Sequence, residues 1–224
     1  MNTPSTRSST DSQTTPLKIV KLGGSLLGLP DCVERLTNVL STQSNAVVVV
    51  GGGRAADRVR RWDESGLFSS HEAHWMAIAA MSFNSLQLAE SSDRFQLVTS
   101  REECANITCQ QMTPVLDVMS LLRTNAAFST IPESWDVTSD SICVFIAREW
   151  NADLCLLKSV DPGPDPAKHL DHFFCDAAGS PGRFDWINLR SDTLKSHVVR
   201  LNLDGSNIQK TGYGETDVGD NGQT

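Results

Sequence analysis

The chain has 224 residues, a net charge of −8, 39% hydrophobic and 21% charged residues. This length and composition predict a folded protein with a buried core, and the acidic balance argues against a nucleic-acid partner. No apolar run reaches the roughly 18–20 residues that cross a bilayer, so we expect no membrane segment.

The two ends of the chain differ in composition from the rest. The first stretch, MNTPSTRSSTDSQTTP, is rich in Ser and Thr and lacks the apolar core of a secretory signal. We predict disordered tails at residues 1–16 and 206–224, around one folded domain at 17–205. The six cysteines form no CxxC pair and several stand in apolar runs. This pattern is typical of reduced thiols in a cytoplasmic protein.

Short apolar runs alternate with helical patterns along the predicted domain. Strands are predicted in LKIVKL, AVVVV, FQLVTS, TPVLDVMSLL, ADLCLLKSV and SHVVRLNL. Helices are predicted in PDCVERLTNVLSTQ, at about 53–62, at about 71–91, and in SDSICVFIAREWNA, with Ser139 as its cap. The valine run shows no polar alternation, which indicates a strand buried on both faces. We therefore predict an α/β fold, a three-layer αβα sandwich with a mostly parallel central sheet.

Two glycine clusters directly follow predicted strands. The first is Gly23-Gly24-Ser25 after IVKL, and the second is Gly51-Gly52-Gly53 after VVVV. Ligands of open α/β sheets bind at the carboxyl ends of the strands, where glycine lets backbone amides converge on an anion. Because Lys21 stands two residues before the first cluster, the two clusters together favour a polyphosphate site over two ordinary turns.

Other phosphate motifs can be compared with these clusters. The chain has no G-x-x-x-x-G-K-[ST], so it is not a P-loop protein. The run GGGRAA, residues 51–56, satisfies G-x-G-x-x-A, the dinucleotide fingerprint. Its acidic partner is expected about 20 residues later at a strand end. Glu72 lies near that distance but opens a helix, and an NAD(P)-binding oxidoreductase stays open as an alternative.

The run HEAH, from His71 to His74, places two histidines three residues apart. A zinc pair on one helix face has the H-E-x-x-H spacing instead. We interpret this run as the start of a helix and predict no metal site.

A third stretch, from Trp135 to Gly163, places Asp140 at a helix start and Lys158 at a strand end. The order strand–Lys–x–Gly–Gly–Ser, strand–Gly–Gly–Gly, then Ser–Asp before a helix and strand resembles the amino-acid kinase (aspartokinase-like) superfamily over about 17–166. The runs WDVTSDS, LKSVD and AHWMAIAAM resemble a short branch of it. Members of that branch are similar to (5-(aminomethyl)furan-3-yl)methyl phosphate kinases, which serve one-carbon coenzyme synthesis of the methanofuran or methanopterin type.

The resemblance implies an enzyme that uses ATP with Mg²⁺ to phosphorylate a small phosphorylated or carboxylate acceptor. It implies that Lys21 contacts the transferring phosphoryl group, that Asp140 holds the lysine ammonium, and that Lys158 is catalytic. Implied nucleotide contacts are Gly23, Gly24, Ser25, Ser159 and Asp161. Implied acceptor contacts are Gly51, Gly52, Gly53 and Arg54. It further implies a homodimer or higher homo-oligomer.

The chain departs from the larger family members in two respects. We find no Gly-Gly-Met-x-x-Lys segment, which in those members supplies a second phosphate lysine, and Lys158 or Lys195 is left to replace it. The chain is also short, which implies a reduced nucleotide lobe. A non-catalytic nucleotide- or oxyanion-binding protein on the same fold therefore stays open as a second alternative.

Overall fold

The computed structural model describes residues 16–43, 45–178 and 183–200. The strands in these ranges are β1 (Lys18–Leu22), β2 (Ala46–Val50), β3 (Phe95–Val98), β4 (Thr113–Leu116), β5 (Asp153–Lys158), β6 (Arg183–Asn188) and β7 (Ser196–Arg200). The helices are α1 (Cys32–Ser41), α2 (Gly53–Glu64), α3 (Ser70–Ala89), α4 (Arg101–Cys109), α5 (Val118–Thr124), α6 (Ser139–Trp150) and α7 (Phe174–Ala178). Apart from Pro16, the predicted tails lie outside the described residues.

The strands form one sheet in the order β3-β4-β2-β1-β5-β6-β7. All neighbouring pairs are parallel except β6 and β7. The predicted mostly parallel α/β fold is therefore confirmed. β1 lies between β2 and β5, and its Lys21 is in register with Val49 and Leu156. The carboxyl ends of these three strands consequently meet at one edge of the sheet.

Helices cover both faces of the sheet because the central strands are apolar on both sides. Ile19 of β1 packs in one core with Ile78 of α3 and Ile146 of α6. On the opposite face Val20 packs in a second core with Leu36 of α1. Each of these side chains is at most 2% exposed, and burying one fully stabilises the fold by about 1.5–3 kcal/mol.

The predicted strand TPVLDVMSLL is only half correct, because its second part is helix α5. Asp117 directly follows β4 and caps α5, since its Oδ1 accepts from the Ser120 amide at 3.3 Å. Strand β6 was not predicted. Its Asp185 carries a charge that the pattern did not allow for, and this carboxylate accepts from Lys18 Nζ at 2.9 Å.

None of the described helices combines the length and apolar character that a membrane crossing needs.

The two glycine clusters pack against each other, backbone to backbone. A Cβ atom on Gly24 would lie 2.2 Å from the Gly53 nitrogen and 2.5 Å from the Gly51 oxygen. Gly53 also has a φ of +50°, which side chains rarely adopt. The close approach of the turns after β1 and β2 thus requires glycine in both clusters, whatever they bind.

We predict that Gly24→Ala destabilises the protein while Gly28→Ala does not. A new Cβ at position 24 meets backbone, which cannot rotate away, whereas a Cβ at position 28 meets nothing within 4 Å. Overpacking of this kind costs about 1–3 kcal/mol, or roughly 2–12 °C in Tm. Thermal unfolding of the two variants checks this, and equal Tm values would contradict the contact.

Candidate functional site

Three charged side chains meet at the sheet edge where β1 and β5 end. Lys21 comes from β1, Lys158 is the last residue of β5, and Asp140 lies in the first turn of α6. Lys21 Nζ lies 2.7 Å from Asp140 Oδ1 and forms an ion pair with it. Lys158 Nζ donates to Asp140 Oδ2. The structure therefore brings together the three residues that the sequence predicted to be catalytic.

This lysine–aspartate–lysine cluster is buried. The exposed side-chain fractions are 7% for Lys21, 7% for Asp140 and 12% for Lys158. Burial by itself raises the pKa of Asp140, but Lys21 and Lys158 outweigh it and hold that pKa below its ordinary value. Asp140 is therefore a carboxylate at neutral pH, and two ammonium groups share it at ion-pair distance.

Lys158 has further partners. Its Nζ donates to the His169 carbonyl oxygen at 2.7 Å and lies 5.5 Å from the centroid of the Trp186 ring. Burial lowers the pKa of Lys158, and Asp140 only partly opposes this. An anion arriving at the cluster would favour the charged form of this lysine.

Some backbone amides of the glycine clusters are already engaged. The Gly23 amide donates to Leu157 O at 3.1 Å, and the Gly51 amide donates to Leu22 O at 2.8 Å. Gly23 thus ties β1 to β5 and its amide is not directed at a phosphate. Within the described residues the amides of Gly24, Gly52 and Gly53 donate to no protein acceptor, which leaves them for a ligand.

A cavity of about 370 Å³ opens beside the second glycine cluster. Its walls come from α2, α3, α6 and the segment before α6; they include Gly52, Gly53, Ala56, Asp57, Arg60, His74, Ile78, Met81, Glu133, Trp135, Asp136, Thr138 and Ser139. The first turns of α2 and α6 both reach this cavity, and helix N-termini favour anions.

Arg60 lines the cavity, and Arg54 does not. The lining residues of α2 are spaced as one helix face, and position 54 falls off it, where Arg54 is exposed. The Arg60 guanidinium lies 4.3 Å from the Trp135 ring centroid, and Trp135 Nε1 donates to Asp63 Oδ2 at 2.6 Å. Arg60, and not Arg54, is therefore the arginine of α2 that lines this cavity.

The HEAH run divides between two environments. His71 Nδ1 lies 2.5 Å from Glu133 Oε2, and Trp75 Nε1 donates to Glu133 Oε1 at 3.1 Å. His74 is buried in the cavity wall, and burial lowers its pKa. Over the described part of the chain no three His, Cys, Asp or Glu side chains are grouped to hold a metal ion. The sequence pattern did not identify His74 as a cavity residue.

The remaining predicted nucleotide contacts lie near the cluster's edge of the sheet. Ser25 is exposed in the 3₁₀ turn Gly24–Gly28, and Ser159 is half-buried just after β5. Asp161 is exposed, and its Oδ1 lies 3.8 Å from His197 Nε2 on β7. Lys195 is exposed between β6 and β7, whereas Lys158 lies at ion-pair distance from Asp140.

Asp171 was not predicted, yet it caps α6. Its Oδ2 accepts from the Thr138 amide at 2.9 Å and from the Ser141 amide at 3.0 Å. The predicted cap is therefore wrong: Ser139 is the first residue of the helix, and the capping carboxylate comes from 30 residues further along the chain.

The dinucleotide alternative loses its acidic partner. The amide of Ser69 donates to Glu72 Oε2 at 2.9 Å, and the Ser69 hydroxyl accepts from the Glu72 amide, so the two residues form the capping box of α3. In a dinucleotide site, the acidic residue that binds the ribose is expected at the end of a strand, and Glu72 lies in a helix instead. Glu72 therefore does not serve as the acidic residue that the fingerprint at residues 51–56 requires, and the glycines of that turn are explained by their close packing.

Two solved structures with TM-scores above 0.5 support the same fold. Over 79% of this chain and 88% of the other, UMP kinase from Bacillus anthracis has a TM-score of 0.55 at 13% identity. UMP kinase from Ureaplasma parvum has a TM-score of 0.51 at 14% identity, covering 80% of this chain and 92% of its own. Uridylate kinase from Archaeoglobus fulgidus has a TM-score of 0.47 at 20% identity, and 65% of this chain covers 64% of that chain.

A search of curated protein sequences finds no match. The profile of the amino acid kinase family matches residues 16–163, more than half of the chain and the part that carries Lys21, Asp140 and Lys158. The chain therefore belongs to the amino acid kinase family.

Proposed function

We propose that the protein is an ATP-dependent phosphotransferase that acts on a small phosphorylated acceptor. One observation carries the proposal: two buried ammonium groups share one carboxylate at the carboxyl edge of a parallel sheet. The excess positive charge favours a polyanion, and the neighbouring amides of Gly24, Gly52 and Gly53 are directed to no protein acceptor in the described chain.

In this function Lys21 and Lys158 stabilise the charge on the transferring phosphoryl group. Phosphoryl transfer needs little covalent help from a protein, so positioning and charge stabilisation carry most of the catalysis. Asp140 holds both ammonium groups in place and lies between them rather than at the reacting atoms. Gly24 would contact the nucleotide phosphates from the β1 turn, and Ser25, Ser159 and Asp161 stay the proposed nucleotide contacts beyond it.

The residues present fit Mg²⁺ only as an ion carried by the nucleotide. Both carboxylate oxygens of Asp140 face lysines, so this side chain offers no free ligand. Mg²⁺ often keeps several waters and binds substrate phosphates rather than an all-protein cage. We propose that the metal enters with ATP and supplies further neutralisation of the phosphate charge.

The cavity beside α2 is proposed as the acceptor site. Its two helix N-termini and Arg60 suit a phosphate, while Ile78, Met81 and Trp135 suit a small apolar or aromatic body. A volume of about 370 Å³ lies within the range of small-molecule sites. The branch resemblance makes a furan-methyl phosphate of one-carbon coenzyme synthesis our specific proposal for the acceptor.

We expect Mg-ATP to stabilise the protein and a matching phosphomonoester to add to that effect. A ligand present at 100 times its Kd stabilises by about 2.7 kcal/mol, or roughly 5–11 °C in Tm for a chain of this size. Thermal shifts with Mg-ATP, NAD(P) and a panel of phosphomonoesters, followed by ³¹P NMR for transfer, test this. Binding without transfer to any acceptor would instead support the non-catalytic alternative.

Lys21→Ala is the control variant for this test. The alanine leaves Lys158 paired with Asp140, so we expect the variant to stay folded and to lose a factor of about 10²–10³ in kcat. A kcat within about threefold of the wild type would contradict the phosphoryl contact assigned to Lys21.

The charge excess also predicts opposite stability effects at two cluster positions. Lys158→Met leaves the balanced Lys21–Asp140 pair, so the free energy of unfolding should stay the same or rise by about 1–2 kcal/mol while turnover is lost. Asp140→Asn leaves two buried ammonium groups without a counter-charge and should cost about 3–5 kcal/mol. Urea unfolding at pH 7 checks both predictions. A Lys158→Met protein less stable than the wild type would contradict the idea that the cluster carries a destabilising excess of positive charge.

The difference in the free energy of unfolding between Lys158→Met and the wild type should change with pH in one direction. The pKa of Lys158 is lowered in the folded protein, so the unfolded chain binds more protons as the pH approaches the ordinary lysine value of 10.5. Wild-type stability should therefore rise relative to Lys158→Met over that range, and the advantage of the variant should shrink.

We also propose that the protein forms a homo-oligomer through α3. Phe83 and Leu86 are 63% and 45% exposed on this helix, and half-buried Met76 and Ala79 precede them at helical spacing. Phe83→Asp should lower the molar mass measured by light scattering while Tm changes little. A wild-type mass of one chain would contradict the proposal.

A further inference from the structure

A short segment beyond the matched family region contacts both sides of the charged cluster. This segment is residues 169–173, from the last residue of the 3₁₀ turn Pro166–His169 to the residue before α7. The carbonyl oxygen of His169 accepts from Lys158 Nζ at 2.7 Å. Two residues later, Asp171 binds the helix turn that carries Asp140. The family match ends at residue 163, so this support lies outside it.

Asp171 engages the backbone on either side of Asp140. Its Oδ2 accepts from the Thr138 amide at 2.9 Å, the Thr138 hydroxyl at 2.7 Å and the Ser141 amide at 3.0 Å. Its Oδ1 accepts from the Ser141 hydroxyl. The Ser141 amide, three residues into the helix, is one that an N-cap side chain would normally satisfy, and Thr138 itself makes no such bond. The first turn of α6 is thus held from outside the helix.

Further contacts hold the segment against α6. The Phe173 amide donates to the Asp136 carbonyl oxygen at 3.2 Å, and the Phe173 ring stacks on Phe145 of α6 with centroids 6.2 Å apart. The segment therefore links the Lys158 side of the cluster to the residues before α6 that line the proposed acceptor cavity.

We infer that Asp171 is a positioning residue for phosphoryl transfer: by capping α6 from the 169–173 segment, it fixes Asp140 and, through Asp140, the directions of both lysine ammonium groups. This inference rests on the proposed function. Asp171 touches neither lysine at ion-pair distance, so it acts through the helix turn. Its negative charge also favours the ammonium form of Lys158, which agrees with its place beside the cluster.

Three variants separate positioning from an ordinary helix cap. Asp171→Ala removes all four hydrogen bonds. Asp171→Asn keeps them, since its oxygen can replace Oδ2 and its NH₂ can donate to the Ser141 hydroxyl, so it removes only the charge. Ser100→Ala removes the side-chain cap of α4, whose contacts are with β3 and β4 away from the cluster, and is the matched control.

We expect Asp171→Ala to lower kcat at least 10-fold with the KM for ATP within about threefold, because a small displacement of reacting groups is costly. Asp171→Asn should keep kcat within about threefold of the wild type. Ser100→Ala should lower Tm without changing kcat. A kcat of Asp171→Ala within threefold of the wild type, measured where the variant is folded, would overturn the inference.

Ser141→Ala covers the case in which Asp171→Ala does not fold. It deletes one hydrogen bond to Asp171, and we expect a loss of about 3–10-fold in kcat at unchanged KM. A kcat equal to the wild-type value would overturn the inference, while the expected loss would support it.

A second measurement does not depend on turnover. In protein labelled with ¹³C-lysine, the Cε signals of Lys21 and Lys158 report their surroundings, which are Asp140, Asp171, the His169 carbonyl and the Trp186 ring. We expect both signals to shift in Asp171→Ala and to stay at wild-type positions in Ser100→Ala. Unchanged signals in Asp171→Ala would overturn the positioning role. Shifted signals in a protein that transfers no phosphate would support it and would contradict the proposed function alone.

Discussion

The buried carboxylate of Asp140 between two lysines is the constraint on which the site depends. Desolvating three charges is costly, and only close opposite charges and hydrogen bonds offset that cost. The arrangement needs β1 and β5 as parallel neighbours, so that Lys21 and Lys158 end at the same edge. It also needs α6 to begin above that edge. The fold thus holds the ammonium groups of Lys21 and Lys158 closer together than two like charges would stay in water.

The glycine clusters serve this arrangement first through packing. The turns after β1 and β2 approach so closely that a side chain at Gly24 would overlap the backbone of Gly53. The side-chain amide of Asn84 on α3 donates to the Gly51 carbonyl oxygen at 2.7 Å and so holds the second turn against α3. A sequence pattern that indicates a phosphate site therefore has a structural cause of its own. The amides of Gly23 and Gly51 donate to strand carbonyl oxygens, whereas within the described residues those of Gly24, Gly52 and Gly53 donate to no protein acceptor.

Local patterns in the sequence predicted the parts of the structure that local physics decides. The valine run predicted β2 because a strand buried on both faces needs apolar residues throughout. The lysine before the first glycine pair predicted a site because the strand ends at the edge of the sheet. Asp171, Arg60 and His74 were missed because their positions at the cap of α6 and in the cavity wall depend on contacts between residues distant in the sequence. A cap supplied from 30 residues away and a cavity face shared by α2 and α3 leave no periodic signal. β6 was missed because Asp185 interrupts its apolar pattern and is balanced by Lys18, which lies far from it in sequence.

The part of the chain after the family match supplies contacts to Lys158. Trp186 of β6 is buried under Lys158, and its Nε1 donates to the Val160 carbonyl oxygen at 2.8 Å. A cation near an aromatic face keeps part of the stabilisation that water would supply. Together with the His169 carbonyl, the ring makes a place for an ammonium group at the end of β5. The His169 carbonyl oxygen and the Trp186 ring, both from the part of the chain after the family match, thus hold the Lys158 side chain beside Asp140.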